Sequence, residues 1–180
     1  MADRTVKVWD PLVRVFHWSL VASFAFAWAT AEDWEGLHEW AGYAAAALIG
    51  FRILWGVIGP KYARFSQFVR SPGVVIDYLR SAINGSERRY LGHNPAGGMM
   101  IVALILATAA TALTGWMTTL PAYHGAEWVE EGHELMANLM LVLVLLHVTG
   151  IILAGFRHRE NLVRAMIVGR KRTPEAADIA

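Results

Sequence analysis

The sequence contains no cysteine. That excludes disulfides, thiolate metal sites, iron–sulfur clusters and covalent haem attachment through a C-x-x-C-H motif. Charge is also scarce: 17% of the 180 residues are charged and 56% are hydrophobic, a balance that excludes an ordinary soluble domain. Lys and Arg are missing altogether between Arg14 and Arg52, and again between Arg89 and Arg157. The chain carries no basic surface suited to nucleic acid, no internal repeat, and no constellation of nucleophile and general base.

What remains is organised by four apolar runs, at about residues 13–31, 37–59, 97–118 and 132–157. Each is long enough to cross a bilayer as a helix. The expected fold is therefore all-α, an integral membrane four-helix bundle forming one domain over residues 1–180. The connection between the first two spans and the outer end of the second carry Glu32, Asp33, Glu35 and Glu39; the connection between the last two and the outer end of the fourth carry Glu127, Glu130, Glu131 and Glu134. Every Lys and Arg lies before or at the start of the first span, in the second half of the second span or the connection that follows it, or at or after the end of the fourth. The positive-inside rule then places both termini and the Lys61–Arg89 connection in the cytoplasm.

Three smaller features complete the layout. Arg4, Lys7 and Arg14 ahead of an apolar run ending in Ala29-Thr30-Ala31 imitate a signal peptide with its cleavage site, but the segment is expected to stay as the first span. Ser71-Pro72 and Asn84-Gly85 bracket a short amphipathic cytoplasmic helix, with Val75, Leu79, Ala82 and Ile83 expected on one face at the membrane interface. Residues 170–180 read as a polar tail.

Histidine is the strongest ligand left to a chain without thiols. His133 and His147 stand fourteen residues apart in the fourth span. That is nearly four turns and about 21 Å, so both point the same way at different depths. His17, at the cytoplasmic end of span one, matches the depth of His147. His38, at the outer end of span two, matches His133. Two imidazole pairs at two heights are how a helix bundle clamps two planar, non-covalent b haems. Arg52 lies fourteen residues after His38, on the same face of its helix, and an arginine inside a span costs about 2.5–3.5 kcal/mol unless it finds a partner. A haem propionate would serve, as would snorkelling to a lipid phosphate.

Each residue also has a plainer reading. One histidine near a helix end is ordinarily an interfacial or hydrogen-bonding group, and only the matched pairs argue otherwise. A zinc site lacks a third ligand at each level, although Glu39 and Glu134 adjoin His38 and His133. The Trp and Met residues suit core or interface positions. Gly42, Gly50, Gly115 and Gly150 could admit a porphyrin or simply close helix packing. His93, in LGHNPAGG, could touch a propionate or pass a proton to a quinone, or could merely shape a helix entry. His124 suits a loop cap and His158 a solvated surface.

The segments VWDPLVRVFHW, HEWAGY, FRILWGVIGPKYARF, LGHNPAGG, HELMAN and LLHVTG together resemble the bacterial cytochrome b561 family, in particular the branch holding the cytochrome b subunits of nickel–iron hydrogenases. The resemblance implies a four-helix membrane cytochrome with two b haems and quinone-linked electron transfer. It also implies that His17, His38, His133 and His147 are the axial ligands. Relatives serve hydrogenases, c-type cytochromes or superoxide. Acidic outer loops should repel superoxide and attract a cationic protein, which favours a c-type cytochrome or hydrogenase-like partner over a self-contained superoxide:quinone oxidoreductase. A haem-free polar channel or transporter lined by the histidines is the alternative of another class.

Overall fold

A computed structural model describes residues 5–179; Met1–Arg4 and Ala180, and with them Arg4 of the N-terminal basic cluster, lie outside the described residues. The described residues are all-α apart from one two-stranded sheet and an isolated bridge between Tyr90 and Ile179. Its elements run β1 (Thr5–Lys7), α1 (Pro11–Thr30), α2 (Glu35–Ile58), α3 (Phe65–Phe68), α4 (Pro72–Ile83), α5 (Pro95–Thr118), α6 (Glu127–His158), α7 (Leu162–Val168) and β2 (Arg170–Arg172). Helices α1, α2, α5 and α6 are each long and apolar enough to cross a membrane.

The ends of these helices are set by local chemistry. Asp10 Oδ1 accepts the Leu12 and Val13 amides at 3.0 and 3.1 Å, and Pro11 occupies the first helical position, where its missing N–H costs nothing. Asn94 repeats the device for α5, taking the Gly97 amide at 2.7 Å ahead of Pro95. Helix α6 begins at Glu127, earlier than the expected 132. Glu127 and Glu130 sit in its first turn, where carboxylates favour the positive end of the helix dipole. His133 consequently lies inside α6 rather than at its start.

Packing divides the chain into two units, and each long helix contributes residues to both. The first unit holds the residues up to Arg14, Trp55–Val102 and the residues from Leu145 onward. Here β1 pairs antiparallel with β2, Val6 opposite Lys171, and the Val8 and Trp9 amides both donate to Gly169 O. Gly169 closes α7 in the left-handed region at φ 79°, where a side chain would also press on Trp9 O. Val8, Trp9 and Ala165 form the core of this region.

Residues 170–179 are no loose tail. Arg89, 5% exposed, donates from Nη2 to Glu160 Oε1 at 2.7 Å, from Nη1 to Asp178 Oδ2 at 2.5 Å, and from Nη2 to Arg172 O at 3.0 Å. Burial alone would push the Glu160 carboxyl up, but the bonds from Arg89 and the Arg172 amide outweigh it and hold it below its ordinary value. The Asp178 carboxyl is lowered in the same way, by the Glu175 amide and Arg89 against burial. Lys171 is buried beneath this cluster with its Nζ 5.5 Å from the Trp9 ring, and burial pulls its amine down to about 8 against the attraction of Glu160. Two buried cations thus meet two buried carboxylates.

Helix α4 has the expected bounds but a different face. Val75 is buried against the protein, and the Ala82 carbonyl accepts Arg157 Nη1. The exposed apolar stripe is Ile76, Leu79 and Ile83. Leu79 and Ile83 thus stay exposed while Val75 and Ala82 turn toward the protein, which divides the expected single stripe.

The second unit comprises Val15–Leu54 and Ala103–Val144. Its buried residues are few: Phe16, Thr30, Ala41, Ile49, Arg52, Ala107, Thr108 and Val129. A Cβ placed on Gly42 or Gly50 would meet no atom within 4 Å, so these glycines border open space rather than a helix contact. Trp34, Trp40 and Trp128 are exposed near the ends of α2 and α6, as aromatic anchors at a membrane surface would be.

Candidate functional site

The second unit brings His38 of α2 and His133 of α6 together. Their ring centroids are 5.9 Å apart and their planes perpendicular. His38 Nδ1 lies 2.8 Å from the Ala27 carbonyl of α1, and His133 Nδ1 lies 3.0 Å from the Thr111 carbonyl of α5. A carbonyl can only accept, so each Nδ1 must carry the proton and donate it. Each Nε2 is thereby left with its lone pair, which is the state a metal-binding imidazole requires.

The distance between the rings can be tested against coordination chemistry. Two imidazoles bound from opposite sides to one metal at about 2.0–2.1 Å place their centroids roughly 6.4 Å apart. The observed 5.9 Å is half an ångström short of that, within a side-chain adjustment. Two imidazoles alone suit a metal that brings its other ligands with it. A porphyrin does so with its four nitrogens. Gly42, one turn after His38 on the same face, borders open space, since a Cβ there would meet no atom within 4 Å.

Gly115 of α5 is part of the same construction. A Cβ there would stand 2.8 Å from His133 Cε1 and 3.1 Å from its Nδ1. The imidazole reaches the Thr111 carbonyl only because position 115 has no side chain. Thr114 Oγ1 adds a longer contact to His133 Nδ1 at 3.3 Å.

The other expected residues are placed as follows. His17 lies on α1 in the second unit, half-buried, with its ring edge-on to Trp18 at 5.1 Å. His147 lies on α6, half-buried, and belongs to the first unit. Arg52 is 3% exposed on α2 in the second unit. His93, before α5 in the first unit, sits between two aromatic rings, 4.6 Å from Trp9 and 4.8 Å from Phe68. His124 closes a short 3-10 turn over Pro121–Tyr123 and is exposed; His158 ends α6.

Sequence reading missed the acceptors. The carbonyls of Ala27 and Thr111 have no signature in the letters, since any residue supplies one. Thr30 and Thr114, near those carbonyls, carried no visible pattern either. Gly115 was visible only as one small residue among several. A family model described as prokaryotic cytochrome b561 matches residues 8–169. No curated protein matches the chain.

Proposed function

The chain belongs to the prokaryotic cytochrome b561 family, and from that premise we propose that it carries electrons between a periplasmic redox protein and the membrane quinone pool through two non-covalent b haems. The family makes it a multi-pass transmembrane b-type cytochrome of electron transfer. The finer reading assigns His38 and His133 to the outer haem and His17 and His147 to the inner one. Haem b supplies reversible one-electron chemistry at an iron whose potential follows its axial ligands, their hydrogen bonds and burial.

The observation that carries the reading is the His38–His133 pair, with both Nδ1 atoms tied to carbonyls and both Nε2 atoms left to ligate. The protein's residues hold the imidazoles in one tautomer before any cofactor arrives, which lowers the cost of binding it. Support for the inner pair comes from the helical repeat: His147 follows His133 by fourteen residues on the continuous α6, and His17 stands in the early turns of α1. Arg52, buried on α2, supplies a positive charge to a propionate. Converting a quinone to a quinol takes two electrons and two protons. His93, held between Trp9 and Phe68 at the entry to α5, is the residue assigned to a propionate contact or to that proton exchange.

The eight acidic residues on the α1–α2 and α5–α6 connections and first helical turns, without one Lys or Arg, favour a cationic partner such as a c-type cytochrome or hydrogenase-like enzyme over superoxide. The same asymmetry supports an inner-membrane location with both termini in the cytoplasm.

Haem stoichiometry and a redox titration of the purified protein test the reading. Two low-spin components are expected. His38→Ala or His133→Ala should remove one of them, and His17→Ala or His147→Ala the other. Loss of the same component in His17→Ala and His38→Ala would overturn the pairing, and a folded protein without a Soret band would overturn the assignment of haem altogether.

A further inference from the structure

The two carbonyls that hold the imidazoles share a second feature. Thr30 Oγ1 donates to Phe26 O at 2.8 Å and also reaches Ala27 O at 3.3 Å. Ala27 O is the acceptor for His38. Thr114 Oγ1 donates to Ala110 O at 2.9 Å and reaches Thr111 O at 3.1 Å. Thr111 O is the acceptor for His133. So on each side of the pair one threonine hydroxyl, three residues further along its helix, shares the carbonyl that the imidazole uses. Thr30 is 1% exposed, the most buried polar residue of its helix, although it stands at the helix end where a hydroxyl could have reached water.

Two physical effects follow. A threonine that bonds back to the preceding turn bends its helix and tips those carbonyls outward, which aims them at a third group. A carbonyl oxygen that already receives a hydroxyl is also a weaker acceptor for the next donor, because the two compete for the same lone-pair density. The strength of the Nδ1–H bond sets how much negative charge the imidazole gives to the metal, and thereby how strongly the oxidised iron is favoured.

We propose that Thr30 and Thr114 are paired positioning residues that aim and moderate the carbonyl bonds on His38 and His133, and thereby set the potential of the outer haem. The proposal rests on the assignment of that haem to these two histidines. At 3.3 Å the direct Thr114–His133 contact is longer than the carbonyl bond at 3.0 Å, so the shared carbonyl governs on both sides.

The test is a redox titration with electron paramagnetic resonance of full-length protein carrying its haem, comparing Thr30→Val and Thr114→Val with Thr30→Ser and Thr114→Ser. Valine keeps the shape and removes the hydroxyl; serine keeps the hydroxyl. Each valine variant should shift the outer-haem reduction equilibrium about threefold to tenfold toward the oxidised form, the range of one modest hydrogen bond. Tenfold corresponds to 59 mV for a one-electron couple. The g-values of that haem should move with it, and serine should restore both. Thr119→Val serves as the control, since its hydroxyl bonds Trp116 O at the exposed end of α5. An unchanged potential in both valine variants, with His38→Ala still removing the outer component, would overturn this proposal alone. If His38→Ala leaves every haem component in place, the ligand assignment and this proposal fall together.

Discussion

Replacing Gly115 by alanine is the sharpest perturbation of the His38–His133 pair. A helix interior ordinarily gains about 0.5–1 kcal/mol from that change, so propensity predicts a more stable protein. The structure predicts a specific loss instead. The new methyl would stand 2.8 Å from His133 Cε1, against an ordinary carbon contact of about 3.5 Å, so the ring must retreat by roughly 0.7 Å. Such a shift would stretch the bond to Thr111 O from 3.0 Å toward about 3.7 Å, beyond hydrogen-bonding range. Losing the bond costs about 0.5–1.5 kcal/mol, and an off-rotamer ring about as much again. The helix itself is not forced apart, because a side chain yields where backbone would not. The fold should therefore stand while the pair weakens its grip by about 1–3 kcal/mol, roughly 5- to 150-fold in affinity. Haem per polypeptide by pyridine haemochrome, together with the thermal unfolding midpoint in detergent, separates the two effects. Gly36→Ala, where no atom lies within 4 Å, is the matched control. Equal haem retention in Gly115→Ala and Gly36→Ala would refute the reasoning.

The remaining predictions concern the first unit. Arg89→Met would leave Glu160 and Asp178 buried without their shared cation, a change that typically costs about 3–5 kcal/mol; a lowered unfolding midpoint and proteolysis after Gly169 should report it. In acid the same cluster should weaken: both carboxyls are held below their ordinary values, so their contribution is whole above about pH 5 and is lost as pH falls through the lowered values. Lys171 acts at the other end of the scale. Its amine sits at about 8 in the folded protein and near 10.5 when exposed, so the unfolded chain binds the extra proton between these values and stability should rise with pH across that window. Unfolding midpoints from pH 7.5 to 10.5 should show the rise in the native protein and lose it in Lys171→Met.

The long helices were legible because the bilayer imposes a rule on composition that few other environments impose. Four runs nearly free of charge, with every Lys and Arg kept out of two of the three connections between them, leave little choice. The start of α6 was misjudged for the opposite reason: Glu127, Glu130 and Glu131 look like a solvated loop by composition, yet acids are favoured in a first turn. The residues after Arg170 read as a tail because their polarity was seen and their partners were not; Arg89 and Glu160 are far away in the sequence. At the candidate site, spacing and depth placed His38 and His133 at one level, and the structure brings them within 5.9 Å. Their acceptors were hidden because the atoms concerned belong to the main chain, which is the same at every position.

The pairing of β1 with β2 carries a consequence for how the protein is made. Thr5 lies opposite Arg172, so a segment made before the first long helix finds its partner only beyond the last one. All four long helices can enter the bilayer before that seam exists. The seam therefore closes only once all four long helices have been made, and a polypeptide stopped short at residue 169 would hold the four helices without it.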